Sequence, residues 1–322
     1  MEPKPKSGSE EDWHKTLVEK LATDALKERR RTRRWGIFFK LLTFAYLSFL
    51  LYLLIPGDWS EKAMKQASHT ALVELEGVIA PGEKASADNV VTGLRDAFED
   101  ENTKAVVLRI NSPGGSPVQS SDIHKEILRL REKYPDIPLY AVVSDICASG
   151  GYYVAAAADE IYVNESSVVG SIGVLMNGFG FVDAMQELGI ERRLMTAGDH
   201  KGILDPFSPV SDFDKQHADR LLSDLHQEFI DAVKNGRGER LKGDDDVLFS
   251  GLFWSGRKGI DLGLVDAIGS AGYVAREVVG VEELKDFTAK ADALERLADR
   301  LGAATGRALA RIGGFAGGLQ LR

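Results

Sequence analysis

The sequence predicts an α/β protein built on a parallel sheet and preceded by one N-terminal transmembrane helix, and three stretches carry that expectation. From Thr70 to Val163, short runs rich in β-branched residues alternate with helical periodicity, at the spacing of parallel strands joined by right-handed crossovers. Trp35 to Ile55 is apolar with Lys40 as its only charge. Pro138 to Ala158 joins a strand apolar on both faces to an Ala-rich helix, with Ser149, Gly150 and Gly151 at the junction.

At 322 residues, 44% hydrophobic and 28% charged, the chain can bury one good core and carry flanking segments. A net charge of −9 argues against nucleic acid as a partner. Lys27, Arg29, Arg30, Arg31, Arg33 and Arg34 nevertheless form a basic block directly before the apolar run. That run, at 1.5 Å per residue, spans about 31 Å, enough to cross the hydrocarbon core of a lipid bilayer. It is too long for a cleaved signal peptide, and Pro56-Gly57-Asp58-Trp59 offers no small-residue cleavage site. The basic flank stays cytoplasmic, so everything after Pro56 is expected outside the cytoplasm. Cys147, the single cysteine, excludes an internal disulfide and reads as a small buried filler. The expected organisation is a cytoplasmic tail over 1–34, an anchor over 35–55, a linker over 56–69, a folded domain over 70–282 and an amphipathic or flexible tail over 283–322.

Within the domain, Leu72–Ile79 and Ala105–Ile110 read as strands, with helical spacing between them over Asn89–Asp100. A turn, Asn111-Ser-Pro-Gly-Gly-Ser116, leads into a helix over Val118–Tyr134; then come the strand before Ser149, its helix, and a strand over Glu160–Val163. Ser166–Phe181 is apolar with interspersed glycines and suits a groove wall against an extended peptide. A helix over Val182–Leu188, a strand over Arg192–Thr196 and a loop carrying His200 and Lys201 follow. Ser211–Asn235 reads as a long amphipathic helix with Phe213, His217, Leu221, Leu225, Phe229 and Val233 on one side.

Both glycine-bearing loops fall at the carboxyl edge of the sheet, where open α/β folds build their sites. Ser149 lies where a strand ends and a helix begins, so its hydroxyl can stand beside unpaired first-turn N–H groups. Serine is also a favoured N-cap and Gly-Gly a common turn, so from these residues alone structural capping is the favoured reading. A phosphate cradle is disfavoured because no G-x-x-x-x-G-K-[ST] run is present. A serine nucleophile needs a base. Pattern places no histidine as its partner; His200 is held in reserve, and Lys201 is the other option. At pH 7 an ordinary lysine is neutral in only about one molecule in 2,500, so it serves as a base only when desolvated. By composition alone, Lys201 reads as a solvated surface residue.

Taken in order, R-I-N-S-P-G-G-S from Arg109, S-D-I-C-A-S-G-G-Y-Y-V-A-A-A-A-D around Ser149, G-S-I-G-V at Gly170, G-D-H-K at Gly198–Lys201 with D-P-F after it, and F-S-G-L with G-L-V-D-A-I-G resemble the signal peptide peptidase A, or protease IV, family. The resemblance covers about Thr70 to Glu282, with one departure: the run F-S-G-L-F-W-S-G-R brings its S-G-R later than the family pattern does. It implies a Ser/Lys-dyad serine endopeptidase without cofactors. Ser149 matches the nucleophile, Lys201 the general base and Ser171 the serine that holds the lysine amine; the N–H of Gly150 and one from the Gly114–Gly115 turn match the oxyanion donors. It also implies the repeated ββα fold of crotonases and Clp proteases, and the family's short, single-copy form. That form brings a ring-like homo-oligomer, with eight subunits the expected number and dyads that can meet across subunits. The implied setting is the bacterial inner membrane, N-terminus cytoplasmic and domain periplasmic, and the implied substrates are cleaved signal peptides left in the bilayer. Two rival readings are a catalytically silent membrane scaffold on the same fold and a crotonase-type acyl-CoA enzyme. Extracytoplasmic placement disfavours the second.

Overall fold

The computed structural model describes residues 8–54 and 67–289. The chain divides into two compact units, residues 1–65 with 292–322 and residues 66–291. In the first, helix α1 (Gly8–Leu54) runs unbroken for 47 residues. Along its second half Trp35, Phe38, Phe39, Leu41, Phe44 and Phe49 are all exposed. Among the described residues no helix is long and apolar enough to cross a membrane. Ile55 and the side chains just before it lie outside the described residues. So do most of the expected linker and positions 290–322 of the C-terminal segment, with Leu294, Leu297 and Leu301.

The second unit is a mixed α/β domain around an eight-stranded, largely parallel sheet. Strands β1 (His69–Glu76), β2 (Thr103–Ser112) and β3 (Leu139–Ala148) form its centre, linked by helices α2 (Ala87–Glu99) and α3 (Pro117–Lys133). The short helix α4 (Gly150–Ala155) starts immediately after β3. β3 then pairs on one side with two strands in succession, β4 (Glu160–Val163) near its start and β5 (Val168–Gly170) at its end. Period-two alternation explains why these strands are apolar throughout. Val73, Leu75, Val106, Leu108, Ala141 and Val143 belong to the main core with residues of α2, α3 and α4. Their neighbours Leu72, Val107 and Val142 face the other way, onto Tyr162, Ala271 and Val274.

Three expectations are corrected. No strand forms over Arg192–Thr196, which is irregular and exposed; its apolar residues, Leu194 and Met195, are adjacent rather than alternating, so no one face is offered to a partner strand. Helix α6 (Asp212–Arg237), which follows the short α5 (Val182–Glu187), buries only its C-terminal half through Phe229, Ala232 and Val233. Phe213, Leu221 and Leu225, on the apolar side that the sequence marks out, are exposed. Beyond residue 282, strand β8 (Leu284–Asp286) pairs in parallel with β1, an edge strand too short to leave a periodic signal.

After helix α7 (Asp245–Leu248), strand β6 (Phe253–Ser255) lies antiparallel to β5; helix α8 (Gly256–Asp261) and strand β7 (Ala267–Ile268), paired with β4, complete this side. α6 is locked to it by two features. A Cβ on Gly236 would overlap the Ala156 carbonyl, so only glycine permits this close crossing over the end of α4. Arg237, fully buried, donates to the Gly263 carbonyl and to both oxygens of Asp266, which in turn accepts the Ile161 N–H.

Candidate active site

The join between β3 and α4 is strained. Ser149 has φ 51° and ψ −123°, a conformation that costs an L-residue about 1–3 kcal/mol and persists only where its surroundings enforce it. Here the enforcing contacts are visible. The Ser149 N–H donates to the Gly170 carbonyl at 2.9 Å, tying it to the end of β5. The turn after β2 presses on it from the other side: a Cβ on Gly114, which has φ 99°, would lie 2.8 Å from Ser149 Cβ and 2.7 Å from Gly150 N. No larger residue fits there. Gly115 is held by a parallel bridge to Ile79, where the backbones approach too closely for any side chain on the glycine.

The N–H groups around Ser149 are not equivalent. That of Gly114 donates to Ser112 Oγ at 3.1 Å, and Ser112 Oγ in turn donates to the Gly77 carbonyl. Among the described residues, no acceptor takes the N–H of Gly115 or of Gly150. A Cβ on Gly150 would fall 3.2 Å from Gly115 N, so these two open donors are neighbours beside a serine at a helix start. Two donors converging on one point are what a developing oxyanion requires.

Ser171 is the second strained serine, with φ 53°. The β3–β5 register pairs Ala148 with Gly170, so Ser149 and Ser171 each lie one residue past the same rung. Adjacent strands are spaced about 4.8 Å apart, which puts the two serines side by side. Only three non-glycine residues among those described have positive φ, and the third, Leu204, is in the Lys201 loop. Gly170, with φ 105°, allows the Trp254 ring to pack where a Cβ would lie 2.7 Å from its carbons.

Lys201 is exposed, and among the described residues no hydrogen bond or ion pair joins it to Ser149 or Ser171. Its segment, residues 174–210, closes largely on itself. Phe181 N–H donates to the Pro206 carbonyl at 2.7 Å, Phe181 stacks on Phe207, and Arg192 pairs with Asp205. His200 lies flat on Phe213, with ring centroids 3.9 Å apart, so this contact pins the Lys201 loop to the start of α6. Leu175, Phe179 and Met195 on the segment are 78%, 82% and 91% exposed.

Three supporting residues escaped sequence reasoning. Ser112 and Ser120 are fully buried, and Ser120 Oγ fills the space against Gly150 while donating to the Ser116 carbonyl. Their signal was faint, since serine near turns is common. His124 is buried and bonds through Nδ1 to the Tyr153 carbonyl at 2.9 Å, clamping α3 to α4. Burial holds its imidazole below the ordinary histidine value, with Lys125 and Arg131 acting in the same sense. The folded domain therefore keeps His124 neutral where the unfolded state, below about pH 6.5, takes up a proton. Stability is expected to fall as pH drops below about 6.5, and a series of thermal melts should show His124→Gln flattening that loss. Burial also pushes the Cys147 thiol far above its usual range, as befits an inert filler.

Residues 131–285, which include Ser149, Ser171 and Lys201, match peptidase family S49. A putative signal peptide peptidase SppA of Enterococcus faecium is 30% identical over 72% of this chain and 70% of its own length. Protease 4 of Haemophilus influenzae is 31% identical over 62% of this chain and 32% of its own. A protein of Brucella abortus named Na(+)/H(+) antiporter NhaA is 44% identical over 58% of this chain. The chain spans only 25% of that longer protein, as it does of a Brucella melitensis protein of the same name.

Proposed function

Since the chain belongs to the signal peptide peptidase A family, peptidase family S49, we propose that it is a serine endopeptidase in which Ser149 is the nucleophile and Lys201 the general base. The observation that carries this reading is the enforced left-handed backbone of Ser149, beside the open N–H groups of Gly115 and Gly150. The Lys201 amine, neutral when desolvated, takes the Ser149 Oγ proton as Oγ attacks the peptide carbonyl carbon. Gly115 and Gly150 donate to the resulting oxyanion, while Gly114 acts sterically by letting the turn approach. Lysine then returns the proton to the departing amine, leaving an acyl-serine. Water, deprotonated by the same amine, releases the acid and restores Ser149. Ser171 bonds to the amine and aims it.

Lys201 reaches Ser149 of a neighbouring copy in this reading. The exposed apolar side chains of the Lys201 segment support it, because burying them between subunits would also dry the amine. A homo-oligomeric ring, eightfold in the fullest form, follows, together with the repeated ββα architecture of crotonases and Clp proteases. The apolar, exposed second half of α1 supports a membrane anchor with the domain outside the cytoplasm of a bacterial cell. Its substrates are then signal peptides left in the bilayer, bound as extended strands.

The exposure of Lys201 in the single chain favours one rival, a catalytically silent scaffold, and mixing two variants separates them. Purified Ser149→Ala and Lys201→Ala are each expected to be inactive on a synthetic leader peptide. Co-assembled in equal amounts, they should regain about a quarter of the wild-type sites, since each site then draws its serine and its lysine from different subunits. Wild-type protein without peptide cleavage would support the scaffold; active wild type with a silent mixture would confine the dyad to one chain.

A further inference from the structure

Ser171 is strained, and among the described residues its side chain makes no hydrogen bond that would hold it. Two backbone contacts flank it. On one side, its N–H donates to the Leu252 carbonyl at 2.7 Å. On the other, the next carbonyl in sequence, that of Ile172, meets His226 Nε2 at 3.2 Å. Ile172 is fully buried in the main core, and from there to residue 181 the backbone has no regular secondary structure to satisfy its carbonyls. His226 sits on α6 one turn before the buried Phe229, within the half of the helix that is anchored to the core. Its imidazole is half-buried, and because a carbonyl only accepts, Nε2 must carry the hydrogen.

We propose that His226 is a positioning residue for the reaction: by donating Nε2–H to the Ile172 carbonyl, it fixes the Ile172–Gly173 peptide, anchors the chain one residue beyond Ser171 and so sets where the Ser171 hydroxyl points. This rests on the reading that Ser171 aims the Lys201 amine. The histidine touches neither substrate nor either member of the dyad. It acts through Ile172 and the two peptide units that follow Ser171, against which a strained φ would otherwise relax. α6 thereby serves two parts of the site, holding the Lys201 loop through Phe213 at its start and the Ser171 loop through His226 further on.

His226→Gln and His226→Met separate this role from simple packing. Both side chains are unbranched and of similar reach, and glutamine alone keeps an N–H donor. The full-length oligomer is assayed on a synthetic leader peptide, with melting temperature measured alongside. The glutamine variant should stay within about twofold of wild type. The methionine variant should lose about tenfold in kcat with KM unchanged, the size of effect expected when a reacting group is misaimed by a fraction of an ångström. Equal activities for the two variants would overturn the proposal, as would a methionine effect confined to melting temperature. Failure of the underlying reading looks different: Lys201→Ala or Ser171→Ala would then cleave at the wild-type rate, and both ideas would fall together.

Discussion

Ser149→Ala is expected to lower kcat for peptide hydrolysis by about 10⁴-fold or more while leaving the fold unchanged, as removal of the nucleophile does in serine peptidases generally. A companion variant makes the prediction particular to this protein. The left-handed φ of Ser149 is strained for any residue with a Cβ, so alanine inherits the strain and only glycine relieves it. Relief of about 1–3 kcal/mol, less about 0.5–1 kcal/mol for the greater freedom of glycine in the unfolded state, leaves a net gain of about 1 kcal/mol. For a domain of this size, that raises the melting temperature by about 2–4 °C. Ser149→Gly should therefore be dead and more stable than wild type, with Ser149→Ala dead and little changed. A nucleophile position whose deletion stabilises the protein is one held against its own preference for the sake of chemistry. If Ser149→Gly instead melted lower, Ser149 would be an ordinary helix cap and the strain argument would fail.

The largest stability loss is expected at Arg237. Its guanidinium is buried, donating to the Gly263 carbonyl and to Asp266, whose other contacts are the Ile161 N–H and Arg240. Burial pushes the Asp266 carboxyl up, but the Arg237 hydrogen bonds and charge prevail and hold it below the usual aspartate range. Arg237→Met keeps most of the volume and leaves Asp266 without its main partner, a change that costs about 3–5 kcal/mol. Thermal unfolding should fall by about 10 °C or more. Much of that loss should return in the Arg237→Met/Asp266→Asn double variant, which removes the stranded charge. The linkage has a sign. A carboxylate held below its ordinary value stabilises the fold above that value, and the contribution disappears as pH falls through the folded-state value. Wild type should accordingly lose stability in acid below about pH 4 by a route that the double variant lacks.

Much of the domain was legible because its central strands are apolar on both faces. A-V-V-L-R-I and L-Y-A-V-V can be little else than buried parallel strands, and the glycine loops after them mark the carboxyl edge. Ser149 was visible as a serine at that edge, but its strain was not, since φ there is imposed by Gly170 and Gly114 from distant parts of the sequence. Arg192–Thr196 misled because its apolar pair, Leu194 and Met195, falls on consecutive residues, so neither face of an extended run is apolar enough to drive pairing. In the first half of α6 the apolar stripe is real, yet Leu221 and Leu225 are exposed and Phe213 carries the His200 and His217 rings instead of entering the core. His226 left no trace in sequence, because a histidine on an amphipathic helix looks the same whether it bonds to water or to the carbonyl beside Ser171.

The dependence of Ser149 on Lys201 is read most directly by mass spectrometry of the assembled protein after treatment with a fluorophosphonate. The account predicts a single adduct on the Ser149 peptide, formed rapidly in wild type and more slowly by about two orders of magnitude or more in Lys201→Ala. An adduct on another serine, or one on Ser149 that forms equally fast without the lysine, would contradict it.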